Sequence, residues 1–328
     1  MVKYILKRLL YVLIVLGLVS LVVFYIINLP PGSWVENYAN ELEATGSPAD
    51  RSELDFLTTR YGLDQPLHVQ YFRWIVPLLT SGDFGYSFEW RQPVWSLIAD
   101  RLLLTIIVSL ISLVFVYAVA IPIALYSATH QYSAGDYFFS FIGIIGLATP
   151  NFLLALLFMI IMLRVFGVSP GGLFSPEYLT APWSPARVWD LLIHLPVPVI
   201  VVGTSGTASV IRILRSQLLD EFQKQYVITA RAKGLAERHV VFRHAFRNAL
   251  LPVVTIIGLN FGFLFSGAVL TETVFGLTGI GRTLYDGITA RDYNVVQSVT
   301  LVAAISFVVI NLLVDMLYGL LDPRIRLN

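Results

Sequence analysis

The chain has 328 residues, of which 56% are hydrophobic and 13% charged, with a mean hydropathy of +0.74. A soluble globule of that composition would expose large apolar patches, so the composition predicts a polytopic membrane protein. The net charge of +1 gives no field that would attract nucleic acid, and the absence of cysteine excludes disulfide frameworks and thiolate metal sites.

A helix rising 1.5 Å per residue needs about 20 apolar residues to cross a bilayer core of about 30 Å. Six segments reach that length: Leu9–Leu29, Leu102–Tyr126, Tyr137–Phe166, Leu191–Ile211, Ala249–Thr271 and Val295–Leu320. Runs this long exclude barrel strands. The first follows Lys3, Lys7 and Arg8 and so imitates a secretory signal. Its apolar stretch is too long for one and no A-x-A site follows, which predicts a retained span. Residues 30–99 come next, rich in Asp and Glu and in aromatic, Pro and Gly residues, and predict a small folded cap.

Pro150 and Asn151 interrupt the third apolar run, and residues 167–190 are rich in Pro, Gly and Trp, as at a membrane interface. Pro196 and Pro198 are expected to interrupt the fourth run. Gly258, Asn260, Gly262 and Gly267 dot the fifth, whose outer end carries Glu272. Such residues either border a pathway, where water or neighbouring helices satisfy freed backbone groups, or permit close helix packing. Asp315 in the sixth run is expected to face protein or water, either as part of a substrate or proton path or, the favoured reading, as a structural partner of Arg324 or Arg326. Orientation follows from the basic residues: the amino terminus, the stretch 212–247 and the tail Asp322–Asn328 all belong in the cytoplasm.

Catalytic patterns are lacking. Gly203-Thr204-Ser205-Gly206 has the form used by intramembrane serine proteases, but no histidine occurs in the last two runs. His194, about three turns away on the expected helix, is too distant to serve as base. Phosphate-loop and paired-histidine metal motifs are also absent, and single carboxylates at span ends do not make the relay of an ion-coupled secondary transporter.

The most informative stretch runs from Tyr226 to Pro252, a basic helix-forming segment between two apolar runs. Leu218, Phe222, Tyr226 and Ala230 recur every four residues as one helical stripe until Gly234 breaks it. Beyond the break, His239, Arg243 and Arg247 form a basic stripe, with Phe242, Phe246 and Ala249 on another face. A lipid-surface anchor would explain the basic stripe. It would not explain the small-residue run from Ala230 to Gly234, which suits close protein contact.

These residues resemble the integral-membrane permease subunits of bacterial ATP-binding cassette importers, specifically the B-type subunit of the dipeptide/oligopeptide branch. The resemblance rests on Tyr226-Val227-x-Thr229-Ala230-Arg231-Ala232-Lys233-Gly234-Leu235 and His244-Ala245-Phe246-Arg247-Asn248-Ala249-Leu250-Leu251-Pro252. It extends to Gly82-Asp83-Phe84-Gly85-Tyr86-Ser87, Thr149-Pro150, Glu272-x-x-Phe275, Gly279-x-Gly281, Asp292-Tyr293, Asp315-x-x-Tyr318 and Asp322-Pro323-Arg324. Thr229 and Ala230 stand where the broader importer-permease motif has its acidic residue, so no role of that residue carries over.

The resemblance implies an all-α membrane protein of type I importer architecture. It has a first helix over 1–29, an outer cap over 30–99 and a permease core over 100–328, with a cytoplasmic coupling segment over 216–248 between the fourth and fifth spans. Tyr226, Thr229, Ala230, Arg231, Ala232, Lys233, Gly234 and Leu235 would couple to an ATPase, while Asn151, Asn260 and Glu272 are candidates for the pathway. The implied partners are a second homologous permease subunit, two ATPase subunits that bind ATP and Mg, a periplasmic or lipid-anchored substrate-binding protein, and membrane lipids. No cofactor is expected in this chain. The implied location is a bacterial or archaeal inner membrane with both termini cytoplasmic. Peptide is the expected substrate class, with oligosaccharides, opines or nickel as alternatives.

Overall fold

The computed structural model describes residues 2–30, 32–44, 51–167, 171–179, 181–266 and 269–321, and among these the chain is helical, with one isolated β-bridge. The side chains of Lys3, Lys7, Arg8, Asn260 and Asp315, together with Gly267, Arg324 and Arg326, lie outside the described residues. The all-α polytopic membrane fold is present. Among the described residues, five helices are long and apolar enough to cross a membrane, or up to six if one bent pair counts as a span. Two compact units divide the chain, Met1–Leu104 with Gly279–Val308, and Thr105–Thr278 with Val309–Asn328.

The first unit contains α1 (Val2–Ile27), α2 (Trp34–Ala44), α3 (Arg51–Tyr61), α4 (Leu67–Ser81) and α14 (Ile280–Ala290). It also holds the start of α5 (Val94–Thr129) and the first part of α15 (Tyr293–Leu321). The Phe24 and Tyr71 rings meet edge to face at 5.3 Å, and Ser20 shares a 2.9 Å hydrogen bond with the Tyr71 hydroxyl, which fixes α1 to α4. Trp34, Val35, Phe88 and Tyr293 form a small core. Asp292 is fully buried and ties the 84–89 turn to α15. Its carboxylate accepts from the Ser87 hydroxyl at 2.6 Å and the Glu89 N–H at 3.1 Å, and caps α15 through the Val295 N–H at 3.3 Å.

The second unit is built on α5, α6 (Ala134–Ala148), α7 (Asn151–Ile161), α9 (Pro196–Phe222) and α12 (Phe246–Ser266). Val116, Ala120, Ala124 and Ala128 recur every fourth residue on α5 and pack with Val210, Leu214 and Leu218 of α9 and Ala249 and Val253 of α12. Small side chains let the backbones approach closely, the main source of helix association where lipid is as apolar as leucine. Gly203 and Gly206 serve the same end. A Cβ at Gly203 would lie 2.8 Å from the Phe115 ring and one at Gly206 3.3 Å from Val116.

The structure departs from the expected spans in two places. The third run is not one rod: α6 and α7 are bent by 105°. Thr149, held extended before Pro150 at φ −90° and ψ 120°, ends the first piece, and Asn151 opens the second. The fourth run is shifted toward the carboxyl end, because Pro196 and Pro198 lie in the first turn of α9 instead of interrupting a helix. Missing N–H groups cost nothing at a helix start. His194 consequently closes a separate helix, α8 (Pro185–His194), and does not share the helix of Ser205.

An ion pair joins α6 to α9. Asp136, 3% exposed, accepts from Arg215 Nε at 3.0 Å and Nη2 at 2.8 Å, and also from the Tyr132 N–H at 3.1 Å. The bridge places the 130–136 turn, which lacks Lys and Arg, at the same end of this unit as Arg215. Beyond α7, a π-helical turn over Met162–Phe166 ends at Gly167, and the following loop is held by Asp190, which accepts from the Ser175 hydroxyl at 2.7 Å and its N–H at 2.8 Å. Arg187 lies over Phe174 and Trp183, 4.7 and 4.6 Å from their ring centres.

Candidate functional site

The segment after α9 is not one helix. The chain leaves the helical region at Lys224, with φ −74° and ψ 145°, and starts α10 (Gln225–Ala232). The Leu218-Phe222-Tyr226-Ala230 stripe is therefore split: Leu218 is buried on α9, Phe222 is half-buried, Tyr226 is exposed and Ala230 is buried on α10. No side chain caps α10. Glu221 holds the corner. This carboxylate, 6% exposed, accepts from the Lys224 ammonium and the Tyr226 hydroxyl, and Asn248 Nδ2 donates to the Tyr226 oxygen at 2.8 Å. Burial and the bond to Glu221 raise the Tyr226 pKa, so the phenol stays a donor, while the bond to Glu221 raises that of Lys224. The end of α9, the start of α10 and α12 thereby share one polar strut.

The other end of α10 closes in a Schellman turn. Leu235 N–H bonds to Ala230 O at 3.4 Å and Gly234 N–H to Arg231 O at 2.9 Å, with Gly234 in the left-handed region at φ +74°. Nothing lies within 4 Å of a Cβ built on Gly234, so backbone conformation alone calls for glycine there. Arg231 reaches across the turn to Glu237, with bonds of 3.1 and 2.6 Å, and its guanidinium stands 5.4 Å from the Phe222 ring centre. The two partners are 40% and 59% exposed, so the pair contributes about 0.2–1 kcal/mol at most and mainly sets the turn.

After the turn, α11 (Glu237–His239) runs into a π-helical stretch, Val240–Ala245, and then α12. Val227 and Ala230 of α10 pack against Val240 and Ala245 of this stretch. The wider turn removes the expected i, i+4, i+8 basic stripe. His239 now neighbours His244, with ring centres 5.7 Å apart, so Arg243 does not stack above it.

The eight residues named from the sequence thus separate by position. Thr229, Ala232, Lys233, Gly234 and Leu235 are exposed together on the far side of α10 and its turn. Ala230 is buried beneath them, Arg231 is paired, and Tyr226 belongs to the strut. Glu221 and Glu237 were not named as site residues from the sequence, and Asn248 entered only as part of the resemblance motif. The signal available was the placement of Glu221 three residues before Lys224 and five before Tyr226.

Of the residues named for the pathway, Asn151 is the first of α7, and its Oδ1 is buried with no hydrogen-bond partner among the described residues. Glu272, expected at an interface, is 4% exposed in α13 (Val269–Phe275), which packs against α7. Asn260 lies on α12 and its side chain is outside the described residues. Among the described residues, no cluster of three or more His, Asp or Glu could hold a metal ion.

Residues 120–327 match the family described as "Binding-protein-dependent transport system inner membrane component", and residues 1–111 match its amino-terminal companion, "Binding-prot-dependent transport system membrane comp, N-term". The chain is 36% identical to the glutathione transport system permease protein GsiC of Salmonella paratyphi A, over 99% of both chains. It is 35% identical to the dipeptide transport system permease protein DppB of Alkalihalophilus pseudofirmus and 36% identical to the oligopeptide transport system permease protein AppB of Bacillus subtilis. Each of these matches covers 99% of this chain and 100% of the relative.

Proposed function

Because the chain belongs to the family of binding-protein-dependent transport system inner membrane components, we propose that it is the permease subunit of an ATP-driven peptide importer. The observation that carries this reading is end-to-end similarity to permeases named for glutathione, dipeptides and oligopeptides, three substrates that share the peptide bond. The chain is a multi-pass membrane component of a transporter and not itself a catalyst.

In this reading the segment 216–248 faces the cytoplasm and the exposed group Thr229, Ala232, Lys233, Gly234 and Leu235 enters a cleft of an ATPase subunit, where ATP and Mg are bound. A second homologous permease subunit completes the pathway, two ATPases drive it, and a substrate-binding protein docks on the outer segments 30–99 and 167–190. Both termini lie in the cytoplasm of a bacterial or archaeal cell. Asn151, Asn260 and Glu272 are the residues proposed for the pathway. Support for the coupling role comes from the build of α10: both of its ends are locked, by the Glu221 strut and by the Schellman turn, so a push on its exposed face is carried to α9 and α12.

The test is uptake into liposomes holding the reconstituted complex, with the binding protein and ATP outside and inside respectively. Labelled tripeptide should accumulate only with ATP, and Ala232→Trp, whose bulk projects from an exposed helical position on α10, should abolish accumulation while leaving the chain folded. Accumulation by this chain alone on an ion gradient, or of a trisaccharide in place of the peptide, would overturn the proposal.

A further inference from the structure

Every exposed residue of α8 is apolar: Pro185, Ala186, Val188, Trp189, Leu192 and Ile193. The last four are 44, 66, 48 and 59% exposed and stand at i, i+1, i+4 and i+5, which makes one stripe along the helix. The polar residues are on the other side and turned inward. Asp190 is buried and accepts from Ser175, Arg187 donates to the carbonyls of Ala181 and Leu179 and lies over Phe174 and Trp183, and His194 Nδ1 is 2.8 Å from the Asp190 carbonyl.

The stripe sits at the edge of a membrane span. α8 ends at His194, and α9, long and apolar enough to cross a membrane, starts at Pro196. α9 carries no charged residue before Arg212, about 24 Å along the helix. That uncharged length belongs in the bilayer core of about 30 Å, which puts Pro196 near one of its boundaries. The headgroup layer beyond is about 5–8 Å deep, whereas α8, of 10 residues, is about 15 Å long. Upright, it would carry Val188 into water, and lying along the surface it keeps the whole stripe in lipid. Pro196 and Pro198 free it to turn, since neither has an N–H to give to the carbonyls of Leu192 and His194. A face made for a protein carries a polar rim and a hydrogen bond per roughly 100–200 Å². The only polar side-chain atom of this stripe is the indole nitrogen of Trp189, whose N–H tryptophan turns to the headgroups at membrane surfaces.

We propose that α8 is an interfacial helix, with Val188, Trp189, Leu192 and Ile193 seated among lipid chains at the membrane surface. It pins to the bilayer the loop that Asp190 and Arg187 hold together. In the orientation proposed above this is the outer surface. Residues 188–193 then leave the area open to a binding protein, which keeps the remainder of the outer segments. The seat in lipid depends on the membrane placement of α9 and not on the substrate carried.

The test uses the full chain in phosphatidylcholine vesicles, alone and in the reconstituted complex. The chain has no cysteine, so Trp189→Cys and Ile193→Cys each give a single thiol at an exposed position that tolerates a nitroxide label. Paramagnetic resonance then compares collisions with oxygen, which concentrates in lipid, and with a nickel chelate, which stays in water. Both labels should lie about 5–10 Å into the headgroup and acyl boundary, with and without the partner subunits. Fluorescence gives a second reading without labels: lipid brominated high on its acyl chains should quench the wild type more than Trp189→Phe. Free collision with the nickel chelate would put the face in water. Closure to both reagents would put it under protein, a second copy if it is seen in the chain alone and a docked partner if only in the complex. Each of these results overturns the proposal, as does equal quenching of the wild type and Trp189→Phe.

Discussion

Removing the Arg215 side chain strands a carboxylate. Asp136 is 3% exposed and takes two bonds from Arg215, 3.0 and 2.8 Å long, against a single backbone bond from Tyr132. Breaking a buried pair costs about 3–5 kcal/mol. The Arg215 side chain is 26% exposed and the Tyr132 N–H remains, so Arg215→Ala should cost about 2–3 kcal/mol. Asp136→Ala should cost less, because Arg215 can still reach water. An apolar replacement of both should be milder than the sum of the two, with a coupling of about 1–2 kcal/mol. The chain has no cysteine, so Ala128→Cys, at a site 5% exposed in the core beside α9, gives a single thiol. Where local opening is fast relative to alkylation, labelling follows the open population. At tenfold per 1.4 kcal/mol, Arg215→Ala should then speed labelling about 30- to 140-fold. An increase below about threefold, or losses that simply add, would show that the pair does not hold α6 to α9.

Two further predictions concern the loops. Gly234→Ala, in the left-handed region with open space around it, should destabilise the turn by about 1–2 kcal/mol and speed amide exchange across residues 225–236, whereas Gly234→Asn should cost less; equal exchange in the two variants and the wild type would contradict this. For Asp190, burial would raise the carboxyl pKa, but bonds from the Ser175 hydroxyl and N–H, with His194 beside them, hold it below the usual range. A depressed folded pKa means that the stabilisation is complete above the unfolded value of about 3.9 and is lost as pH falls through the folded one. Proteolysis of residues 171–194 should therefore rise below about pH 4 in the wild type and show no such step in Asp190→Asn.

Apolar run length made the membrane helices legible, and Gly234 marked its turn because a left-handed residue at a helix end is what glycine supplies most cheaply. Pro150 announced its break for an equally local reason, the exclusion of Thr149 from helical angles. The break at Lys224 had no such mark. Gln223 and Lys224 are ordinary helix residues, and the chain departs there because Glu221, Tyr226 and Asn248, up to 27 residues apart, form a better polar set than a continued helix. The π-helical stretch was hidden for the same reason, since it answers to packing of Val240 and Ala245 on Val227 and Ala230. A period read along one element cannot register a partner on another.

This internal pairing narrows what the exposed side of α10 can recognise. Arg231, named from the sequence for coupling to a partner, and its neighbour Lys224 are each engaged by a glutamate of this same chain. Besides the paired Arg231, α10 and its turn expose Gln225, Tyr226, Ile228, Thr229, Ala232, Lys233, Gly234 and Leu235, one further cation among small, polar or apolar groups. An anionic lipid surface rewards basic residues at about 1 kcal/mol each, and so little unpaired charge makes a weak anchor. Small side chains over a left-handed glycine allow another protein to approach the backbone itself. That contact is made by shape and is only weakly screened by salt. The balance of charge on α10 therefore favours a protein cleft over a lipid headgroup as the proposed occupant of this face.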